Sequence, residues 1–103
     1  MIPLDRNIDI TENGEYGLTA RWENSRQIVE VAGDFGGGTI TVGYQDALGE
    51  FAPYLTQEGE EYTATEGSYW DNVPCPPSGI IALKLAGATD PEIRVRQSAQ
   101  SFL

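Results

Sequence analysis

The stretch that decides the fold is Ile80-Ile-Ala-Leu-Lys-Leu-Ala86. In an extended chain Ile81, Leu83 and Leu85 fall on one side, and Lys84 falls on the other. Alternation with a period of two is typical of a β-strand that has one side packed on a core and one side in water. The sequence therefore predicts a half-buried strand here, with Lys84 facing solvent.

The same alternation recurs on both sides of this stretch, and no window combines helical spacing with caps at both ends. The further runs are 15–22, 26–31, 39–45, 51–56, 61–65 and 92–97. Pro53 interrupts its run, which predicts an edge strand or the start of a strand. Asn13-Gly14 lies between two runs and predicts a tight hairpin turn.

These short runs and the glycine- and proline-rich turns between them predict an all-β fold. We expect a single-domain antiparallel β-sandwich or jelly roll of about seven to nine short strands over residues 1–103. Residues 1–6 are predicted to form an extended N-terminal arm. Residues 97–103 are predicted to form a C-terminal tail after the last strand.

The charge of the chain opposes a nucleic-acid partner. It carries 16 acidic and 6 basic residues, no histidine, and a net charge of -10. Binding to a phosphate backbone needs a basic patch, and only Arg94 and Arg96 can share one strand face. We also expect no signal peptide, and no apolar run is long enough to span a bilayer. We therefore expect neither a nucleic-acid nor a membrane partner.

No residue pattern in the chain predicts catalysis. Without histidine the common serine triads cannot form, and Lys84, the single lysine, has no serine at motif spacing. The single cysteine, Cys75, has no cation near it in sequence and is expected to be a small apolar filler. A hydrolase with two carboxylates is a further hypothesis, but nothing in the spacing of the acids favours it. The sequence predicts no enzyme, no catalytic residue and no cofactor.

Metal binding receives little support. Zinc needs clusters of cysteine or histidine, which are absent. Calcium needs clustered oxygen atoms, and a set around one turn comes nearest to supplying them: Asp9, Glu12, Asn13 and Glu15. Their spacing does not match a calcium-binding loop. No metal site is predicted.

Two groups of residues are candidates for contacts with a ligand or another protein. Five aromatic residues lie close together in sequence: Phe51, Tyr54, Tyr62, Tyr69 and Trp70. On one exposed face they would make a platform for sugars, although burial in the core or an interface is the more common fate of such side chains. Four apolar residues at the two ends are candidate contacts with another subunit or a capsid: Ile2, Leu4, Phe102 and Leu103.

Residues 38–96 resemble a known group of proteins. Thr39-Ile-Thr-Val-Gly-Tyr44 is followed by a short Asp/Gly turn and an aromatic-Ala-Pro step at Phe51. The apolar run Gly79–Ala88 then leads through a Gly-Ala-Thr turn into the alternating run that ends at Arg96. This order is similar to that of the small β-sandwich accessory proteins of tailed-phage virions, which include decoration and head-fibre proteins.

The resemblance implies a function. It implies a viral structural protein that is made in the host cytoplasm and resides in the virion as a capsid decoration, stabilisation or fibre subunit. Its partners would be other copies of itself, in a homotrimer, and the major capsid protein or other virion proteins. No catalytic residue comes with the resemblance. The alternative is a carbohydrate-binding β-sandwich module that uses the aromatics between Phe51 and Trp70.

Overall fold

The described part of the chain contains nine β-strands. The computed structural model describes residues 4–19, 25–56, 58–73 and 80–101. The strands are β1 (Leu4–Ile10), β2 (Gly14–Thr19), β3 (Ser25–Asp34), β4 (Thr39–Gln45), β5 (Phe51–Pro53), β6 (Tyr62–Ala64), β7 (Ser68–Val73), β8 (Ile80–Ala86) and β9 (Glu92–Ser101). Nothing in these ranges forms a helix of the length and apolarity that crossing a membrane requires.

The strands form two antiparallel sheets. One sheet has the order β1-β9-β3-β7, and the other has the order β2-β8-β4-β5, with β6 also paired to β4. β5 pairs with the second half of β4, from Gly43, and β6 pairs with the first half, from Ile40. Together they act as one interrupted edge strand. Counted in this way, successive strands alternate between the sheets except at β4 and β5/β6, which are neighbours in one sheet. This is the winding of a jelly roll, and the two antiparallel sheets confirm the predicted fold class.

The core lies between the two sheets and is built from the inward positions of the alternating runs. Ile81, Leu83 and Leu85 are buried as predicted, whereas Lys84 is exposed. The other buried side chains include Ile10, Leu18, Val29, Val31, Phe35, Ile40, Val42, Val73, Ile93 and Val95. Full burial of one such aliphatic side chain stabilises a fold by about 1.5–3 kcal/mol, so this set is the main source of stability.

The first and the last strand, β1 and β9, are both longer than the sequence predicts. Residues 4–6 belong to β1 rather than to an arm, and residues 97–101 belong to β9 rather than to a tail. Leu4 pairs with Ala99. The sequence of residues 97–101 is mostly polar, so its strand character comes from backbone pairing on two sides and not from alternation. The remainder of the predicted arm and tail lies outside the described residues.

Asn13-Gly14 does not form the predicted hairpin. The strands on either side of it, β1 and β2, lie in different sheets, so the connection crosses from one sheet to the other. The Asn13 side chain instead bonds to the backbone of Ala88. Its Nδ2 donates to the Ala88 carbonyl at 3.0 Å, and its Oδ1 accepts from the Ala88 N–H at 2.9 Å. The side chain therefore ties two sheet-to-sheet connections together.

Four sheet-to-sheet connections meet at the same end of the sandwich, which we call the crossover end. They are residues 11–13, 35–38, 65–67 and 87–91. Phe35 closes the core there and is 4% exposed. The Thr89 N–H donates to the Gly36 carbonyl at 2.9 Å. Gly36 has a φ of +59°, and a Cβ atom at this position would lie 2.2 Å from the Thr89 carbonyl oxygen. Only glycine fits this approach.

One pair of amide side chains is buried in the inner face of the four-stranded sheet. Gln97 donates through Nε2 to Oε1 of Gln27 at 3.0 Å. Both residues are almost fully buried. A buried amide needs hydrogen-bond partners, because losing them costs about 1–3 kcal/mol. The pair therefore constrains how β3 and β9 align against each other.

Candidate binding surface

The outer face of the four-stranded sheet carries a row of polar side chains and one exposed aromatic ring. Asn7, Arg96, Glu30 and Tyr69 stand at paired positions on β1, β9, β3 and β7. The buried residues Val29 and Val31 flank Glu30 in sequence, which fixes its side chain on the outer side. We refer to Asn7, Ile28, Glu30, Tyr69 and Arg96 as the Tyr69 face.

Ion pairs hold the charged side chains of this sheet in place. Arg96 Nη2 lies 2.8 Å from Glu30 Oε1. Arg94 Nε lies 2.9 Å from Asp9 Oδ1, with the two side chains 71% and 64% exposed. Pairs exposed to this degree contribute about 0–1 kcal/mol to stability, so they position side chains more than they stabilise the fold. Arg94 and Arg96 share the outer face of β9, as expected, and each has an acidic partner.

A shallow cavity of about 250 Å³ lies among Ile28, Glu30, Tyr69 and Arg96. Tyr69 is 65% exposed although its ring is large and mostly apolar. Tyrosine and arginine are enriched among the residues that dominate the binding energy of protein interfaces. The face thus combines an apolar ring, an apolar side chain and a fixed ion pair in one place. This combination suits a contact with another macromolecule.

The five aromatic candidates do not come together. Tyr54 and Tyr62 pack on each other with ring centroids 6.1 Å apart, and Tyr44 lies 5.2 Å from Tyr54. Tyr54, Tyr62 and Trp70 pack partly buried against the core. Phe51 and Tyr69 lie on the outer faces of opposite sheets. A platform made of all five rings is therefore not formed, and the role of each in binding stays a prediction.

The apolar candidates at the two ends of the chain, and the single cysteine, fall wholly or partly outside the described residues. Ile2, Phe102 and Leu103 lie outside the described residues, as does Cys75. Leu4 begins β1, but its side chain is outside the described part. Their role as contacts with a subunit or capsid is untested.

The residues around the first turn have other partners. Asp9 pairs with Arg94, and the Asn13 amide bonds to Ala88. Across 4–19, 25–56, 58–73 and 80–101, no group of three acidic, cysteine or histidine residues is arranged to hold a metal ion.

Sequence reasoning missed Ile28 and Glu30 as members of a candidate surface. The alternation around Val29 and Val31 already placed both side chains on the outer side of their strand. What brings Ile28 and Glu30 into one surface is the pairing of their strand, β3, with β7, which carries Tyr69, and with β9, which carries Arg96. Both strands are distant from β3 in sequence, so the sequence alone does not show this pairing. Comparison with known proteins adds no further assignment, because no family model and no curated protein matches the chain.

Proposed function

We propose that this protein is a viral structural subunit that decorates or stabilises the capsid of a tailed phage, or forms part of its fibres, through protein–protein contacts. The observation that carries the proposal is the jelly-roll order of the strands. Capsid domains of viruses are among the proteins built on this winding. The resemblance of residues 38–96 to virion accessory proteins leads to the same role.

The proposed mechanism is the burial of surface at many equivalent positions. A single contact through the Tyr69 face would contribute only a modest binding free energy, since the cavity there is small and the Arg96–Glu30 ion pair is about half exposed. Symmetry repeats the contact on every copy, and each binding event raises the effective concentration for the next one. A homotrimer would present three copies of the Tyr69 face to a capsid surface. The acidic charge of the chain would keep free copies apart before assembly.

The test uses virus particles released by cells that carry the gene for this chain. Particles purified by density gradient are analysed by quantitative mass spectrometry. We expect the chain to co-purify with the major capsid protein at a fixed ratio. A chain that stays entirely in the soluble fraction, while the capsid protein is in particles, would contradict the proposal. Light scattering of the purified chain tests the homotrimer separately.

A pair of variants locates the contact. Tyr69→Ala removes the exposed ring of the Tyr69 face, and Leu55→Ala removes a side chain that is 58% exposed in the connection between β5 and β6 of the other sheet. In co-sedimentation with undecorated particles, we expect Tyr69→Ala to weaken binding by about tenfold or more, as for a central interface residue. Leu55→Ala should bind as the original chain does. The reverse result would place the contact on the other side of the molecule.

A further inference from the structure

A groove crosses the outer face of the five-stranded sheet, on the opposite side of the sandwich from the Tyr69 face. Its floor is formed by Gly17 of β2 and Ala82 of β8, which pair directly. Neither residue has a side chain longer than a methyl group, so the surface drops close to the backbone there. Phe51 and Ile80 form apolar walls around a cavity of about 250 Å³.

Polar groups stand at the rim of this groove. Gln45 donates through Nε2 to the carbonyl of Gly49 at 3.3 Å, which holds its amide beside the opening. Glu15 lines another part of the rim and is exposed. Lys84 pairs with Glu15 across the strands, and its Nζ lies 5.8 Å from the centre of the Phe51 ring. The Glu15 carboxylate and the Gln45 amide therefore line the same groove, and the Lys84 ammonium group lies near its Phe51 ring.

These groups discriminate among classes of ligand. An anion would meet the Glu15 carboxylate and a chain of net charge -10. A cation would be repelled by the Lys84 ammonium group, which already lies over the Phe51 ring to which a cation would be attracted. A purely apolar ligand would cover the polar groups of Glu15 and Gln45 without giving them hydrogen bonds, which costs free energy. A neutral molecule with one apolar face and several hydroxyl groups avoids all three costs.

We propose that this groove binds a single neutral sugar ring, either free or as one unit of a glycan chain. The apolar face of the ring packs on Phe51, and its hydroxyl groups bond to the Glu15 carboxylate and the Gln45 amide. The volume is below the roughly 300–1,000 Å³ of pockets that enclose larger ligands, so one ring fits and its neighbours extend into solvent. The site goes beyond the structural role proposed above and uses a different surface.

The experiment is a titration of the isotope-labelled chain followed by ¹H–¹⁵N NMR. The probes are the methyl glycosides of glucose, galactose, mannose and N-acetylglucosamine, with glucuronic acid and glucosamine as charged analogues. For one ring in an open groove, we expect a Kd on the order of 1 mM. At least one neutral probe should give saturable shifts at the amides of Gly17 and Ala82. The charged analogues should bind more weakly.

Two matched substitutions complete the design. Ala82→Ile fills the floor of the groove, whereas Ala32→Ile makes the same change at an exposed position on the outer face of the other sheet. We expect Ala82→Ile to raise the Kd by about tenfold or more and Ala32→Ile to leave it unchanged. Should Ala82→Ile fail to fold, Gln45→Ala removes the amide at the rim and is expected to weaken binding in the same direction.

Three outcomes would overturn the proposal. The first is the absence of saturable shifts with every neutral probe. The second is tighter binding of a charged analogue than of any neutral sugar. The third is a set of shifts that maps to the Tyr69 face, or that persists unchanged in Ala82→Ile. None of these results bears on co-purification with virus particles, so the two proposals can fail separately.

Discussion

The crossover end allows a prediction from two adjacent glycines. Gly36 and Gly37 both have left-handed backbone angles, with φ of +59° and +79°. A Cβ atom at Gly36 would lie 2.2 Å from the carbonyl oxygen of Thr89, whereas one at Gly37 would meet nothing within 4 Å. Gly36→Ala and Gly37→Ala therefore add the same methyl group to similar backbone conformations. Only Gly36→Ala forces two sheet-to-sheet connections apart.

The expected difference in stability follows from these contacts. Both variants place alanine in a left-handed conformation, at a cost of about 1–2 kcal/mol each. Gly36→Ala also stretches the hydrogen bond from the Thr89 N–H to the Gly36 carbonyl, a loss of about 0.5–1.5 kcal/mol. The steric displacement adds about 1–3 kcal/mol, as in other overpacked sites. Gly36→Ala should therefore be about 1.5–4.5 kcal/mol less stable than Gly37→Ala.

Thermal unfolding followed by circular dichroism measures this difference. For a domain of about 100 residues, 1 kcal/mol corresponds to about 4–8 °C in Tm. We expect the Tm of Gly36→Ala to lie at least about 6 °C below that of Gly37→Ala, with urea unfolding giving the same order. Equal losses in the two variants would refute the reasoning, because they would mean that the connections at Gly36 and Thr89 are not in close contact.

Three further predictions concern polar contacts, each measured by urea unfolding. Gln97→Met alone should lower the free energy of unfolding by about 1–3 kcal/mol, because it removes the donor to Gln27 Oε1. Gln27→Met combined with Gln97→Met should recover most of that loss, and additive losses would contradict a coupled pair. Asn13→Ala should cost about 1–2 kcal/mol through two lost hydrogen bonds to backbone. Arg94→Ala should cost less than about 1 kcal/mol, since its ion pair with Asp9 is mostly exposed.

Alternation predicted the strands with clear apolar faces but not β1 or β7. In β7, Trp70 and Val73 both face the core although three positions separate them, because the pairing of β7 with β3 shifts register between Gln27 and Val29. A shift of this kind breaks the period of two, so no simple pattern reveals the strand. In β1, Ile8 and Ile10 do alternate with polar residues, but two apolar positions are a weak signal.

The candidate surface was less predictable than the fold. In the sequence Tyr69 is one of several aromatics, and alternation does not distinguish its exposure from the partial burial of Trp70 beside it. What makes a surface is the placement of Tyr69 next to Glu30 and Arg96. This placement depends on pairing between strands that lie far apart in sequence, and alternation within one strand carries no information about its neighbours.

The position of β9 between β1 and β3 has a consequence for synthesis in the cell. Asp9 and Arg94 contact each other across 85 residues of chain. At about 5–20 residues per second, a ribosome needs roughly 4–17 s to make the segment between them, and β1 stays without its neighbour for that time. Early segments can collapse, but the four-stranded sheet is complete only when β9, the strand between β1 and β3, emerges. A nascent chain stalled before β9 would leave β1 separated from β3 and exposed to aggregation or to chaperones.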